Sequence, residues 1–311
     1  MRGTPEFRRL LSAAEQAAKA GGAVVRMQAP GATQRKGAGD YVSDADREAE
    51  RAIGKVLLGQ TPDIPVFGEE FGGEPADRYW LVDPIDGTTN FLHGFPAVGV
   101  SVALIQDGRP VVGVVAAPLL DDVYTAIRDG GAQVRRGGGA PVPLSVSDRD
   151  PSRAIVATGF PFRAKERTDR HLAMVRDCLH RFEDLRRPGA ASLDLAWTAA
   201  GVFDGFFELG LSTWDVAAGA LLVEEAGGRV SDWSGGPGYL SGDILAGSPA
   251  VQAELGRAAA ASGSASLEER ETAQDPPRAE QDERALFEEL GGFSSTFETI
   301  GTAEPEDGPA S

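Results

Sequence analysis

The feature that most constrains this chain is an acidic string directly after a short apolar segment. Residues 79–82 have the pattern of a buried strand, and Asp83, Pro84 and Asp86 follow it. Proline cannot donate to a strand ladder, so we expect pairing to end at Pro84. Asp83 would then lie where open α/β sheets bind ligands, and a tight turn could aim Asp86 at the same point. These carboxylates and the Ile85 carbonyl are the oxygen ligands that Mg²⁺ prefers, although the string alone is equally typical of a turn.

Two further acidic segments lie at the edges of predicted elements. Glu69 follows a short apolar run, and Asp215 opens a predicted helix. Each has a simpler interpretation on its own, a solvated loop for Glu69 and a helix cap for Asp215. Gly87 and Thr88, just after Asp86, add amides and a hydroxyl that suit a phosphate group. Together the three segments predict a divalent-metal site beside a phosphate pocket.

The remaining pattern mixes helices and strands. Helical spacing covers residues 5–28, 43–58, 171–182, 192–200 and 215–226. Short β-branched or aromatic runs cover residues 64–67, 79–82, 98–105, 111–116, 123–127, 155–158, 203–209 and 244–246. Between the first two helices, residues 30–39 are predicted to form a Gly-rich loop.

Composition excludes several classes of protein. The net charge of −17 argues against a nucleic-acid binder, and no apolar run is long enough to cross a membrane. A single cysteine, Cys178, excludes an internal disulfide and favours a cytoplasmic protein. Its helical context predicts a core residue. His93 is interpreted as a structural residue or as part of the rim of the site. Residues 262–311 hold 13 acidic and 3 basic residues and are predicted to be a disordered tail, in which the apolar island at 286–300 could bind a protein partner.

The chain resembles the inositol monophosphatase family over about residues 5–260. Trp80 to Phe91 is similar to the family's first signature, Trp214 to Gly228 to its second, and Gly68-Glu69-Glu70 to its upstream acidic segment. The family's N-terminal string is matched by Lys36, Asp40, Val42, Ser43 and Asp46. The resemblance implies an α/β fold, the layered αβαβα sandwich of the inositol monophosphatase and fructose-1,6-bisphosphatase type, in residues 1–261. It also implies a homodimer.

The resemblance further implies the roles of particular residues. Two or three Mg²⁺ ions would be held by Glu69, Asp83, the Ile85 carbonyl, Asp86 and Asp215. The catalytic set would be Asp46, Glu69 and Thr88, with Asp46 and Thr88 orienting or deprotonating the attacking water. The substrate would contact Asp86, Gly87, Thr88, Gly189, Ala190, Ala191, Glu208 and Asp215. The family usually has Ser or Thr at Ala190, so the resemblance implies no hydroxyl contact there.

The implied activity is Mg²⁺-dependent hydrolysis of inositol monophosphate to inositol and phosphate. The string Thr89-Asn90-Phe91 and the residues after Glu208 resemble the inositol branch of the family. A broad sugar-phosphate phosphatase, acting on fructose 1,6-bisphosphate, histidinol phosphate or phosphoadenosine phosphate, stays open because such specificity lies on variable loops. A non-catalytic regulatory role through the C-terminal tail is a further alternative.

Overall fold

The computed structural model describes residues 3–28, 33–37 and 40–272, which form seven α-helices and fourteen strands. The helices are α1 (Pro5–Met27), α2 (Asp44–Gln60), α3 (Thr88–His93), α4 (Thr168–Arg181), α5 (Ala191–Ala199), α6 (Thr213–Glu225) and α7 (Pro249–Thr272). The strands are β1 (Thr33–Gly37), β2 (Asp40–Ser43), β3 (Val66–Gly68), β4 (Arg78–Asp86), β5 (Gly99–Gln106), β6 (Arg109–Ala117), β7 (Asp122–Ile127), β8 (Gly131–Arg136), β9 (Val142–Pro143), β10 (Ile155–Thr158), β11 (Asp184–Arg186), β12 (Gly205–Glu208), β13 (Arg229–Ser231) and β14 (Ile244–Gly247).

The elements stack in five layers. Helices α1 and α2 pack on one face of a seven-stranded sheet of order β3-β4-β5-β6-β7-β8-β9. Helices α5 and α6 lie between that sheet and a five-stranded sheet of order β11-β10-β12-β14-β13. Helices α4 and α7 cover the outer face of the second sheet. This arrangement confirms the predicted α/β fold, a layered αβαβα sandwich.

The layers follow from two different burial patterns. In β5, Val100, Val102 and Leu104 face α1 and α2, whereas Ala103 and Ile105 face the central helices. That alternation is the period of two that a strand imposes on its side chains. In α6, by contrast, residues 215–223 are all buried, because the helix has a sheet on either side. A helix that is apolar all round is a core helix rather than a surface one.

Two local predictions were wrong. The predicted loop at 30–39 contains β1, which pairs antiparallel with β2; these strands are polar, so no apolar alternation indicates them. Pairing also does not end at Pro84, because β4 continues to Asp86. Its register with β5 shifts between Asp83 and Asp86, and such a bulge accommodates a residue that cannot donate to the ladder.

Two further predictions concern α4 and the C-terminal region. Cys178 is buried in α4, which confirms the prediction of a core residue. The predicted boundary at Ser262 falls inside α7, which continues to Thr272. The rest of the predicted acidic tail, including the island at 286–300, lies outside the described residues. No helix in the described part of the chain combines the length and apolar character of a membrane span.

Candidate active site

Three buried carboxylates meet where the first sheet approaches the central helices. Asp83 and Asp86 lie at the C-terminal end of β4, and Asp215 lies in the first turn of α6. One oxygen of each carboxylate lies within 4.8 Å of the other two. Their exposed fractions are 1%, 9% and 5% in that order. Residues 129 positions apart in the sequence, Asp86 and Asp215, therefore share one small volume.

Local backbone chemistry holds each of these carboxylates in place. The Ile85 amide donates to Asp83 Oδ1 over 3.0 Å, which closes the bulge of β4. The Ser192 amide and hydroxyl, at the start of α5, donate to Asp86 Oδ2 over 2.7 and 2.5 Å. Asp215 is the third residue of α6 and accepts from the Ser212 amide over 2.8 Å, in a capping box.

A second capping box positions Asp46. It is the third residue of α2 and accepts from the Ser43 amide over 2.7 Å. Its other oxygen lies 3.2 Å from the Thr88 hydroxyl, which is also 3.0 Å from the Ile85 carbonyl oxygen. The single hydroxyl hydrogen can be given to either acceptor. Thr88 therefore links Asp46 to the end of β4.

Glu69 reaches the site from a loop that α2 holds. Its amide donates to the Val82 carbonyl over 3.1 Å, next to Asp83. The next two amides, of Glu70 and Phe71, donate to the two carboxylate oxygens of Glu50 over 2.7 and 3.0 Å. Glu50 is buried, with 4% of its surface exposed. A buried carboxylate on a helix thus fixes the loop that carries Glu69.

Burial and mutual repulsion make this site electrostatically unfavourable by itself. Burial, followed by the charges of Glu69, Asp86 and Asp215, raises the pKa of Asp83 well above its ordinary value. Burial and then Asp215 raise the pKa of Asp86 to about 7. A divalent cation would relieve that repulsion. The donor set is entirely oxygen, in carboxylates and a nearby backbone carbonyl, and therefore fits Mg²⁺ rather than a thiolate-seeking metal.

These residues open on a cavity of about 580 Å³ with two chemically different walls. We call Glu69, Asp83, Asp86 and Asp215 the carboxylate wall. The arginine wall consists of Phe160, Phe162, Arg163 and Arg187. The Arg163 guanidinium lies 3.9 Å from Asp215 and is 44% exposed. The cavity therefore joins a buried acidic end to an exposed aromatic and cationic end.

Most of the sequence-predicted site residues line this cavity. Glu69, Asp83, Ile85, Asp86, Gly87, Thr88, Gly189, Ala191, Glu208 and Asp215 all do so. Asp46 stands behind Thr88, which it contacts. Ala190 is 1% exposed and is not among the lining residues, so the substrate contact at that position stays a prediction. His93 is exposed at the end of α3.

Sequence reasoning missed the arginine wall and the residues that support the carboxylates. Phe160 to Arg163 lie between β10 and α4, and Arg187 lies between β11 and α5. The one available signal was an aromatic and proline-rich run, Phe160-Pro161-Phe162, ending in a basic residue. Ser192 and Glu50 gave no signal, because their roles depend on contacts over 106 and 20 or more positions.

Glu208 lies between the two walls, at the end of β12. Burial and then the charge of Asp215 raise its pKa to about 8, while Arg187 acts in the opposite direction. Asp194, behind it in α5, is 1% exposed, and neither of its oxygens has a hydrogen-bond partner among the described residues. Burial and then the charge of Glu208 raise the pKa of Asp194 well above its ordinary value. The acidic character thus extends beneath the cavity at Glu208.

Comparison with known proteins places these features in one family. The sequence profile of the inositol monophosphatase family matches residues 6–266. "Nus factor SuhB" of Escherichia coli strain K12 is 42% identical over 250 residues, covering 77% of this chain and 91% of the relative.

Two solved structures have similar folds. The extragenic suppressor protein suhB of Bartonella henselae is 38% identical, with a TM-score of 0.75, covering 80% of this chain and 98% of its own. An inositol monophosphatase from Anabaena is 34% identical, with a TM-score of 0.72, covering 81% of this chain and 96% of its own. This chain belongs to the inositol monophosphatase family.

Proposed function

We propose that this chain is a Mg²⁺-dependent phosphatase that hydrolyses a small phosphate monoester, with inositol monophosphate as its substrate. The observation that carries the proposal is the convergence of Asp83, Asp86 and Asp215 within 4.8 Å beside a cavity. Membership of the family supports phosphatase chemistry and dependence on Mg²⁺. A site of three buried carboxylates without a cation would be strongly self-repelling, which agrees with that dependence.

The residues of the carboxylate wall would hold the metal ions, with Glu69 and the Ile85 carbonyl completing the set. Mg²⁺ bound there supplies positive charge to the phosphoryl oxygens and lowers the pKa of a water molecule. Asp46 and Thr88 would orient that water, and the 3.2 Å distance between the Thr88 hydroxyl and Asp46 Oδ1 supports this role. In this proposal the Asp46 carboxylate accepts the proton that the attacking water loses, through the Thr88 hydroxyl.

The other end of the cavity would bind the leaving group. There, Glu208 would accept a hydrogen bond from a substrate hydroxyl. Next to the metal ligands, Gly87 and Thr88 would hold the phosphate through their amides. Gly189 and Ala191 border the same space with backbone atoms. A left-handed backbone at Gly87, with φ of 85°, supports a close approach there. A Cβ at that position would stand 2.9 Å from the Ala97 carbonyl oxygen.

Phosphate release from inositol 1-phosphate, measured with and without Mg²⁺, tests the proposal. We expect turnover that depends on Mg²⁺ and that falls at least 100-fold in Asp86→Asn, because the variant removes one charge from the metal ligands. Fructose 1,6-bisphosphate, histidinol phosphate and phosphoadenosine phosphate in the same screen distinguish a narrow from a broad phosphatase. Turnover that persists without metal, or in the variant, would contradict the metal assignment.

A second candidate function is a regulatory binding role. It is favoured by the name of the Escherichia coli relative, a Nus factor. Removing residues 273–311 should leave phosphate release unchanged and abolish binding to a protein partner if the acidic tail carries that role. A homodimer is likewise a proposal, and sedimentation equilibrium of the full chain of 32.5 kDa tests it through a mass of twice that value.

A further inference from the structure

Arg187 is a cationic group that the chemistry proposed above does not use. Its guanidinium carbon lies 5.9 Å from the ring centre of Phe160 and 5.6 Å from that of Phe162. The two rings meet edge to face with their centres 6.0 Å apart, so the guanidinium lies beside the pair. Contact with both rings restricts the side chain before any ligand arrives. Within the described part of the chain both rings contact it and no carboxylate forms an ion pair with it, although its charge acts on the buried Glu208 and Asp194. The guanidinium therefore keeps its hydrogen-bond donors available to the cavity.

The position of Arg187 relative to the phosphate end limits the size of what it could bind. One of its terminal nitrogens lies 2.5 Å from where a Cβ on Gly189 would stand. The Gly189 carbonyl oxygen in turn lies 3.3 Å from where a Cβ on Gly87 would stand. Gly189 thus separates Arg187 from Gly87, and a substrate with a short carbon chain could span the two.

Charge at this end of the cavity favours an anion beside Arg187. Burial raises the pKa of both Glu208 and Asp194, and the charge of Arg187 acts against that rise, so its field reaches the floor of the cavity. Arg163 is on the same wall but faces Asp215. A planar guanidinium binds phosphate or carboxylate by paired hydrogen bonds.

We propose that Arg187, held by Phe160 and Phe162, binds a second anionic group of the substrate at the end of the cavity opposite the carboxylate wall. Among other phosphate monoesters, those that carry another phosphate or a carboxylate are then preferred over matched esters that lack one. This inference rests on the proposed phosphatase function and extends its substrate class beyond inositol monophosphate. Inositol monophosphate lacks such a group and serves as a reference substrate without it.

Matched substrates and matched variants test the assignment. The first measurement is the ratio of kcat/KM for fructose 1,6-bisphosphate to that for fructose 1-phosphate. We expect wild-type protein to favour the bisphosphate and Arg187→Met to reduce that ratio at least tenfold, with kcat/KM for fructose 1-phosphate changed less than twofold. Methionine keeps an unbranched apolar chain beside the two rings, so we expect the fold to be preserved. Arg187→Lys keeps the positive charge but loses the two parallel N–H donors of the guanidinium, and should retain part of the preference.

Arg186→Met is the matched control. Arg186 is the adjacent residue, is also exposed, and pairs with Asp184 outside the cavity lining. Its removal should leave the ratio unchanged. An equal fall in both arginine variants would indicate a general loss of positive charge and would overturn the assignment to Arg187.

A binding measurement separates this inference from the proposed function. Calorimetry in Mg²⁺ compares 3-phosphonopropionate with propylphosphonate, two non-hydrolysable ligands that differ in one carboxylate. The carboxylate should tighten binding in wild-type protein and have no effect in Arg187→Met. If fructose 1-phosphate is hydrolysed but neither preference depends on Arg187, the inference is wrong and the phosphatase stands. If no ester is hydrolysed but the binding preference depends on Arg187, the phosphatase proposal is wrong and the anion site stands.

Discussion

The two walls of the cavity are built by different means. Every aspartate of the carboxylate wall lies in a strand or a helix, is at least nine-tenths buried, and accepts a hydrogen bond from a nearby backbone amide. The arginine wall lies on segments between elements, and its two rings are 38% and 50% exposed. Its contacts are between side chains. The backbone fixes the end that would perform the chemistry, whereas loops shape the end that would select the substrate.

The largest effect is expected at the carboxylate wall, with opposite signs for activity and stability. Asp215→Asn keeps the shape and the acceptor for the Ser212 amide but removes one of the buried negative charges. We expect phosphate release to fall at least 100-fold. In metal-free protein the free energy of unfolding should rise, because repulsion with Asp83 and Asp86 is reduced. Urea unfolding with and without Mg²⁺ measures the second effect.

A matched control is Asp204→Asn. Asp204 is fully buried but pairs with Arg149 at 2.7 Å and accepts from the Ile155 amide at 2.7 Å, outside the cavity. Its replacement should lower the free energy of unfolding in both conditions, because a satisfied charge is lost. If Asp215→Asn also destabilised the metal-free protein, mutual repulsion would not be the dominant force in the carboxylate wall.

The free energy of unfolding should depend on pH through His171, which lies in α4 behind the arginine wall. The ring is fully buried, 5.5 Å from Phe160 and 5.6 Å from Phe207, and burial lowers its pKa to about 4 from 6.5. The unfolded chain therefore takes up the proton first as pH falls below 6.5, and stability is lost between pH 6.5 and 4. The contribution lost between pH 8 and pH 5 is about 1–2 kcal/mol.

His171→Phe should remove that slope when urea unfolding is compared at pH 8 and pH 5. His180→Gln, an exposed histidine of the same helix, should leave it unchanged. The raised pKa values in the carboxylate wall act in the opposite direction, favouring the folded metal-free protein at low pH. Identical slopes in wild-type and His171→Phe protein would show that the ring is not held neutral.

Glu50→Gln tests the loop that carries Glu69, the member of the carboxylate wall that is not an aspartate in a strand or helix. Glutamine offers one oxygen to the two amides of Glu70 and Phe71, and its own NH₂ group would face the other. The loop carrying Glu69 should loosen, so the Mg²⁺ concentration for half-maximal phosphate release should rise about tenfold. Glu48→Gln, on the exposed face of the same helix, is the control. Equal Mg²⁺ requirements in the two variants would mean that α2 does not position Glu69.

The same contrast explains what the sequence could predict. A continuous apolar run after Asp215 located α6, and β-branched runs located the long strands of the first sheet. The signatures around Asp83 and Asp215 located the carboxylate wall. The bulge that carries β4 past Pro84 could not be predicted, since it depends on the register with β5. The arginine wall depends on Phe162 meeting Arg187 across 25 positions, with no local periodicity to indicate it.

The smallest expected effect is Phe162→Leu, which tests whether the arginine wall is ordered by its rings. Phe162 is 50% exposed, so its replacement should change the free energy of unfolding by less than about 0.5 kcal/mol. Arg187 would lose one of its two aromatic partners, a contact worth about 0.5–1 kcal/mol at an exposed site. The preference for the bisphosphate should therefore fall about two- to fivefold, measured as the ratio of kcat/KM for fructose 1,6-bisphosphate to that for fructose 1-phosphate.

Phe95→Leu, with the same 50% exposure, is the control and should leave the ratio unchanged. A preference unaffected by Phe162→Leu but lost in Arg187→Met would mean that the charge alone selects the anion, and that this wall needs no ordering before the ligand binds.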